Sequence, residues 1–146
     1  RIPDGVDGYT NELGNHMPGY PYGTLMKIES VSQKGNAVEY ECDRSSAAKQ
    51  KGILGVYGCH HLDDPYEDMR HLHDIWSIGD GHILVCSEGG NIELGDYICS
   101  SSTPGYGMLQ DDDLLHNYTV AKASEPVDWS SESETTKLIA CTYHCG

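Results

Sequence analysis

The stretch from Leu94 to Val127, LGDYICSSSTPGYGMLQDDDLLHNYTVAKASEPV, decides the fold class of this chain. Gly95-Asp96 opens a predicted strand that ends at Cys99, and His116 to Ala123 alternates into a second strand. Between them, Thr103-Pro104-Gly105 predicts a tight turn, because proline presets φ and glycine accepts a positive φ. Nothing in the stretch resembles a phosphate-binding loop or a nucleophile elbow. Short strands separated by turns favour a scaffold or binding role.

The same pattern continues along the rest of the chain, where glycine turns separate short strands about every 8 to 12 residues. We therefore predict an all-β domain over residues 24–146, built as a short-stranded β-roll, barrel or sandwich. The further predicted strands are Thr24–Val31, Ala37–Cys42, Ile53–Tyr57, Ile75–Ile78, His82–Ser87 and Lys137–Tyr143. Ser45–Lys51 carries helix-forming residues and predicts a single helical turn, and Ser130–Thr136 predicts a flexible polar link.

Residues 1–23 form a separate region that is rich in Gly, Pro and Tyr and has no period of 2 or 3.6. This composition predicts an extended arm or connector. Its tyrosines, Tyr9, Tyr20 and Tyr22, suggest that the arm lies on another surface, such as that of a neighbouring chain.

Composition excludes several classes of function. The chain has 23 acidic and 9 basic residues and a net charge of −14, which argues against binding to nucleic acid. No apolar run approaches the ~20 residues of a membrane span. Ten tyrosines and no phenylalanine suit interfaces and half-covered sheets. Six cysteines are too few for a disulfide scaffold, so we predict that Cys42, Cys86 and Cys99 are buried thiols.

Two segments, GDYICSSSTPGYGM and VAKASEPV, resemble a signature of β-rich C-terminal domains on bacteriophage tail fibres and neck appendages. The best-known members are intramolecular-chaperone or autoprocessing domains of the glutamic peptidase type. The resemblance covers residues 34–127. It implies an intertwined homotrimer on a virion, assembled in the host cytoplasm, with the rest of the fibre and a host-surface glycan or protein as partners.

From this resemblance we predict a structural domain that trimerises and caps a phage fibre or appendage. A self-cleaving chaperone domain and a metal-bearing binding module of a virion or secreted protein are the two alternatives.

Self-cleavage in the resembled domains falls at a Ser-Asp bond that opens a short strand, where the Asp and a following Glu supply the acid–base pair. The matching stretch here is GNAVEYE at residues 35–41, with Glu39 in place but Asn36 where the Asp would stand. An amide does not exchange a proton near neutral pH, so the pair lacks one member unless Glu41 or a neighbouring subunit replaces it. We therefore expect no self-cleavage, and an ordinary strand with Glu39 and Glu41 on its wet face is the simpler interpretation.

Histidines suggest a metal site on a symmetry axis. His71 and His73 are two residues apart, so in a strand they would face the same side. Around a three-fold axis the pair becomes six imidazoles, which suits a transition-metal ion. A solvated loop with titrating histidines is the simpler alternative, and we expect no other cofactor.

The C-terminal CTYHC, with Cys141, His144 and Cys145, is a second candidate metal site. Its spacing is not the usual Cys-x2-Cys of zinc sites, and zinc would need a further ligand from Cys59, His60 or His61. A disulfide between Cys141 and Cys145 would require a bend, because residues i and i+4 of a strand lie about 13 Å apart. Two free thiols are the favoured interpretation.

Two further features have simple interpretations. Asp111, Asp112 and Asp113 lack the alternation of a calcium loop and predict a solvated bend. Trp76 and Trp129 could provide a sugar-stacking platform, but they suit core and interface anchors equally well.

Overall fold

A computed structural model describes residues 1–3, 6, 8–60 and 73–145 of the chain. These residues form a closed five-stranded barrel, a four-stranded sheet and a two-stranded hairpin, which confirms the all-β prediction. The strands are β1 (Tyr9–Thr10), β2 (His16–Met17), β3 (Leu25–Lys34), β4 (Ala37–Arg44), β5 (Ile53–His60), β6 (His73–Trp76), β7 (Ile78–Cys86), β8 (Tyr97–Ser100), β9 (Gly107–Leu109), β10 (Thr119–Ala123) and β11 (Thr136–His144).

The barrel follows the order β10-β11-β7-β9-β8. Its longest pairing is antiparallel and joins β7 to β11, from Cys86↔Thr136 to Ile78↔His144. Alternate residues of both strands point inward, so Ile83 and Ile139 lie fully buried in the barrel core. The barrel closes at β9, which pairs antiparallel with β8 and contacts β7 through one parallel residue pair.

The four-stranded sheet follows the order β4-β3-β5-β6. β3 and β4 form a long hairpin, whose turn uses Gly35 at φ 63°, a conformation that glycine adopts without strain. β3 pairs with β5 only through Leu25, Met26 and Lys27. Beyond them, residues 30–34 have β4 as their only strand partner within the described ranges, so the outer part of the hairpin is a two-stranded ribbon.

Barrel and sheet share one core. Leu25 and Val56 of the sheet are fully buried in the same apolar cluster as the barrel residues. The backbone also joins the two layers, since Leu25 N donates to Gly105 O (2.9 Å) and Gly105 N donates to Ser45 O (3.0 Å). The predicted Thr103-Pro104-Gly105 turn is present and supplies this junction, with Gly105 at φ 83°.

A second apolar cluster lies on the other face of the sheet. It contains Ile2, Met26, Cys42 and Tyr57. Part of the N-terminal region covers it, because Val6 and Tyr20 pack against the cluster. The β1–β2 hairpin lies within this same region.

Two local predictions are wrong. Ser45–Lys51 forms bends and a turn rather than a helical turn, because Lys49 adopts φ 50° and Gln50 Oε1 accepts from Ser46 N (2.9 Å). The predicted link at Ser130–Thr136 overlaps a 3₁₀-helix at Trp129–Ser131, which Asp128 caps by accepting from Ser130 N (3.0 Å). A second 3₁₀-helix lies at Ser87–Gly89.

The cysteine prediction is confirmed. Cys42, Cys86 and Cys99 are free and buried. As for membranes, no helix in the described part of the chain is long and apolar enough to cross one.

Candidate functional site

The outer β3–β4 hairpin, hereafter the ribbon (residues 28–41), has one apolar face that is open to solvent. Directly opposed residues of an antiparallel pair share a face, so the pairs Val31↔Tyr40 and Gln33↔Val38 place these side chains together. Val31 and Val38 are 53% and 51% exposed, and Tyr40 is 39% exposed. Ile28 lies on the same face and is paired with Cys42, which is buried. The core of the sheet therefore extends outward as an uncovered apolar stripe.

The other face of the ribbon is polar and carries two of the predicted catalytic residues. Glu39 lies opposite Ser32 and Glu41 lies opposite Ser30. Both carboxylates approach the Arg1 guanidinium, with N–O distances of 3.8 and 3.7 Å. Arg1 also runs beside β4, since Cys42 N donates to Arg1 O (2.7 Å). The two carboxylates thus belong to an ion-pair cluster on the wet face of a strand.

Asn36, the third predicted catalytic residue, lies in the exposed turn between β3 and β4. The structure brings Glu39 and Glu41 onto one face and leaves Asn36 at the tip of the hairpin. The expectation that this stretch does not cleave itself stays a prediction.

Of the histidines predicted for an axial metal site, His73 is described and His71 lies outside the described residues, as does His61. His73 begins β6, and its Nδ1 lies 2.7 Å from Tyr57 Oη. Its ring centroid is 4.7 Å from that of His60, which ends β5. His73 is therefore packed among side chains of its own sheet.

Of the C-terminal donors, Cys141 and Cys145 both pack at the barrel core, and His144 faces away from it. Cys141 points into the barrel core, whereas His144 is exposed with its ring 6.0 Å from that of Tyr97. Cys145 is half-buried, and its thiol donates to Val120 O at 3.5 Å. The structure does not bring the three residues together. Within the described ranges, no group of three or more His, Cys, Asp or Glu residues is placed to hold a metal ion.

The acidic bend at residues 111–113 is organised by hydrogen bonds. Asp112 accepts from His116 Nε2 at 2.9 Å and from Leu114 N at 3.1 Å. The bond from His116 is the main cause of the lowered pKa of Asp112. Asp111 Oδ2 accepts from Lys49 Nζ at 2.8 Å. The predicted bend is present, and Leu114 and Leu115 are exposed within it.

The two tryptophans differ in environment. Trp129 packs against the barrel core, and its Nε1 donates to Gly90 O at 2.9 Å. Trp76 is 40% exposed, and its indole occupies the space that a Cβ on Gly58 would take. Tyr22 of the N-terminal region stands edge-on to Trp76, with ring centroids 5.7 Å apart. One tryptophan is therefore a core anchor, and the other lies at the surface.

A cleft of about 190 Å³ lies between the β1–β2 hairpin and β5. Its walls come from the hairpin, from the residues that directly follow it and from β5: Tyr9, Met17, Pro18, Tyr20, Tyr57, Gly58, Cys59 and His60. Tyr9 and Tyr20 belong to the arm that the sequence predicted to lie on a surface. Sequence reasoning did not find the cleft, because the pairing of Tyr20 with Tyr57 spans the fold and leaves no local pattern.

No family model, no curated protein and no solved structure matches this chain.

Proposed function

We propose that this chain is a trimerisation and capping domain of a phage fibre or appendage protein, that it acts in the virion, and that it contacts the host surface. The observation that carries self-association is the open apolar face of the ribbon. The phage assignment rests on the resemblance of the GDYICSSSTPGYGM and VAKASEPV segments.

The apolar face is unusual because it continues a buried core. Met26 and Cys42 are nearly fully buried at the base, and exposure rises outward through Ile28 to Val31 and Val38. Contiguous apolar surface of this kind marks interaction sites on soluble proteins. A two-stranded hairpin is also only marginally stable in water without a third strand or a packed face. A neighbouring copy on this face would supply the missing packing.

Charge favours the same surface as the contact between copies. Two chains of net charge −14 repel each other, so they approach best where carboxylates are absent. The side chains grouped on this face are uncharged: Ile28, Val31, Gln33, Val38 and Tyr40. The carboxylates of Glu39 and Glu41 lie on the opposite face beside Arg1. The ribbon thus offers an apolar side to a partner and a charged side to water.

The first test is the mass in solution. Sedimentation equilibrium should give three times the chain mass of 16.0 kDa. The double variant Val31→Lys with Val38→Lys should sediment as a folded monomer, because it places two ammonium groups in the contact. Ser32→Lys is the matched control: it adds a lysine to the same ribbon on the polar face and should leave the assembly intact.

A wild-type chain that stays monomeric at micromolar concentration would overturn the proposal. So would a double variant that assembles as the wild type does. Circular dichroism on each variant separates loss of assembly from loss of folding.

A further inference from the structure

The cleft between the β1–β2 hairpin and β5 is built mainly from aromatic and sulfur-containing side chains. Tyr20 and Tyr57 meet at nearly a right angle, with ring centroids 6.1 Å apart and an interplanar angle of 83°. Tyr9 and Met17 face them from β1 and β2, where the two strands pair directly through Tyr9↔Met17. Tyr57 is almost fully buried and forms the base of the cleft, whereas Tyr9 and Tyr20 are half-buried and form its sides.

Two carboxylates contact residues of these walls, and the Arg44 guanidinium also acts electrostatically on Tyr20. The hydroxyl of Tyr20 donates to Asp43 Oδ1 at 2.5 Å, and Cys59 Sγ lies 3.4 Å from Asp74 Oδ2. Of the cleft-lining residues that the structure describes, none is a lysine or an arginine. Burial and the bond to Asp43 raise the pKa of Tyr20, and burial raises that of Tyr57, so both phenols stay neutral at physiological pH. The cleft combines ring faces with nearby carboxylates.

We propose that this cleft binds a quaternary ammonium group, with choline as the simplest ligand. A cation is attracted to the negative faces of aromatic rings, and the attraction grows when the cation is desolvated. The sulfur of Met17 is polarisable and suits the same ligand. Asp43 and Asp74 add long-range attraction without needing to touch the ligand, and the net charge of −14 acts in the same direction.

Size limits the ligand to a head group. Sites for drug-sized ligands enclose roughly 300–1,000 Å³, and this cleft encloses about 190 Å³. The ammonium group can come from a free small molecule or from the head group of a lipid. The inference is independent of the proposed trimer, because the residues of the cleft come from one chain.

The decisive experiment compares choline with its neutral isostere, in which a tert-butyl carbon replaces the nitrogen. Both are titrated into the full chain, with isothermal calorimetry and tyrosine ring signals in proton NMR as readouts. Choline should bind saturably and at least about tenfold more tightly than the isostere, since the two differ in charge and hardly in shape. Equal binding would show a merely apolar cavity, and no saturable choline binding would overturn the proposal outright.

A charge variant tests the location. Met17→Lys places an ammonium group at the mouth of the cleft and should reduce choline affinity at least about tenfold. Leu13→Lys is the matched control, because it adds the same charge to the same hairpin at a residue that is 85% exposed and outside the cleft lining. Tyr9→Leu removes one ring and should weaken binding, whereas Tyr40→Leu on the ribbon should not. Retained affinity in Met17→Lys would place the ligand elsewhere and overturn the assignment.

Phosphatidylcholine vesicles distinguish the source of the group. Co-sedimentation with vesicles that choline competes away would assign a lipid head group. Choline binding without vesicle binding would assign a free small cation, and both results support the site.

Discussion

At the scale of single residues, three thiols on or next to the barrel strands are held in their protonated form by burial. Burial raises the pKa of Cys99 and Cys145 to about 11 and that of Cys141 to about 12. A thiol in an unfolded chain has a pKa of about 8.5. At pH values between the unfolded and the folded pKa, these thiols are deprotonated in the unfolded chain and protonated in the folded chain.

Stability should therefore fall as the pH rises above about 8.5, because the unfolded state binds fewer protons than the folded state in that range. Cys145→Ala removes one such group. Between neutral pH and about pH 10, the variant should lose roughly 1–2 kcal/mol less of its free energy of unfolding than the wild type loses. Denaturant titrations at both pH values measure this difference.

The comparison at neutral pH is the control, since thiols are protonated there in both states and only packing differs between the two proteins. If the free energy of unfolding changed with pH equally in the variant and the wild type, the assignment of a raised pKa to Cys145 would be contradicted.

Residue-level patterns in the sequence revealed which side chains share a face, but not what covers that face. Cys42, Cys86 and Cys99 were predicted to be buried because each lies in an apolar strand, and they are. Val38 and Tyr40 alternate with Glu39 and Glu41 as predicted, yet their face is open. The alternation of side chains between the two faces is a property of the strand itself. Whether a face is buried depends on which other elements pack against it.

At the scale of elements, the barrel closes at its weakest pairing. β9 meets β7 through the single pair Val85↔Gly107. On its other side β9 packs closely against β8, where a Cβ on Gly107 would lie 2.7 Å from Ile98 Cγ2 and 3.3 Å from Cys99 O. The close packing of β9 against β8 thus requires a residue without a side chain at position 107.

Gly107→Ala should destabilise the protein by about 1–3 kcal/mol, because Ile98 is fully buried and must shift within a packed core. Thr103→Ala changes an exposed residue in the loop before β9 and is the control. Its free energy of unfolding should lie within about 0.5 kcal/mol of the wild-type value. Chemical denaturation followed by circular dichroism measures both. If Gly107→Ala were as stable as the wild type, β8 and β9 could move apart without loss of free energy of unfolding.

Elements with strong local signals were the predictable ones. The Thr103-Pro104-Gly105 turn and strand β11 follow from proline, glycine and alternation. By contrast, β7 begins at Ile78 rather than at the predicted His82, and the predicted Ile75–Ile78 strand spans the end of β6 and the start of β7. Ser45–Lys51 was misassigned because its helix-forming composition is overridden by tertiary hydrogen bonds. Lys49 N donates to Ser100 O and Gln50 N donates to Ser100 Oγ, which ties this segment to the barrel.

At the scale of the whole molecule, barrel and sheet are joined by a shared core and by backbone hydrogen bonds. They share the buried cluster around Leu25 and Val56. Buried Ser45 adds a hydrogen-bonded junction, since its backbone N donates to Leu25 O and its carbonyl accepts from Gly105. Unfolding of either layer would expose part of this shared cluster.

Unfolding should therefore be a single transition, and the two tryptophans can report it separately. Trp76 lies in the sheet and Trp129 packs on the barrel. In Trp129→Phe, the fluorescence of Trp76 should change at the same denaturant concentration as the far-ultraviolet circular dichroism of all strands. Trp76→Phe gives the reciprocal measurement from the barrel side. If the fluorescence of Trp76 changed at a lower denaturant concentration than the circular dichroism, the sheet and the barrel would be two separate folding units.

The site could be predicted only in part, because its residues are distant in sequence. Glu39 and Glu41 were found from local spacing, but their contact with Arg1 joins residues almost forty positions apart in the chain. The same holds for the cleft, where Tyr20 of the N-terminal region meets Tyr57 of β5.

The walls of that cleft belong to two pieces of chain, the β1–β2 hairpin and β5. An occupant would touch both, so the free energy of its binding would also oppose lifting of the hairpin from the sheet. Occupancy and detachment of the hairpin are then mutually exclusive states. Binding of a small cation, as proposed, would in this way hold the first part of the chain against the sheet.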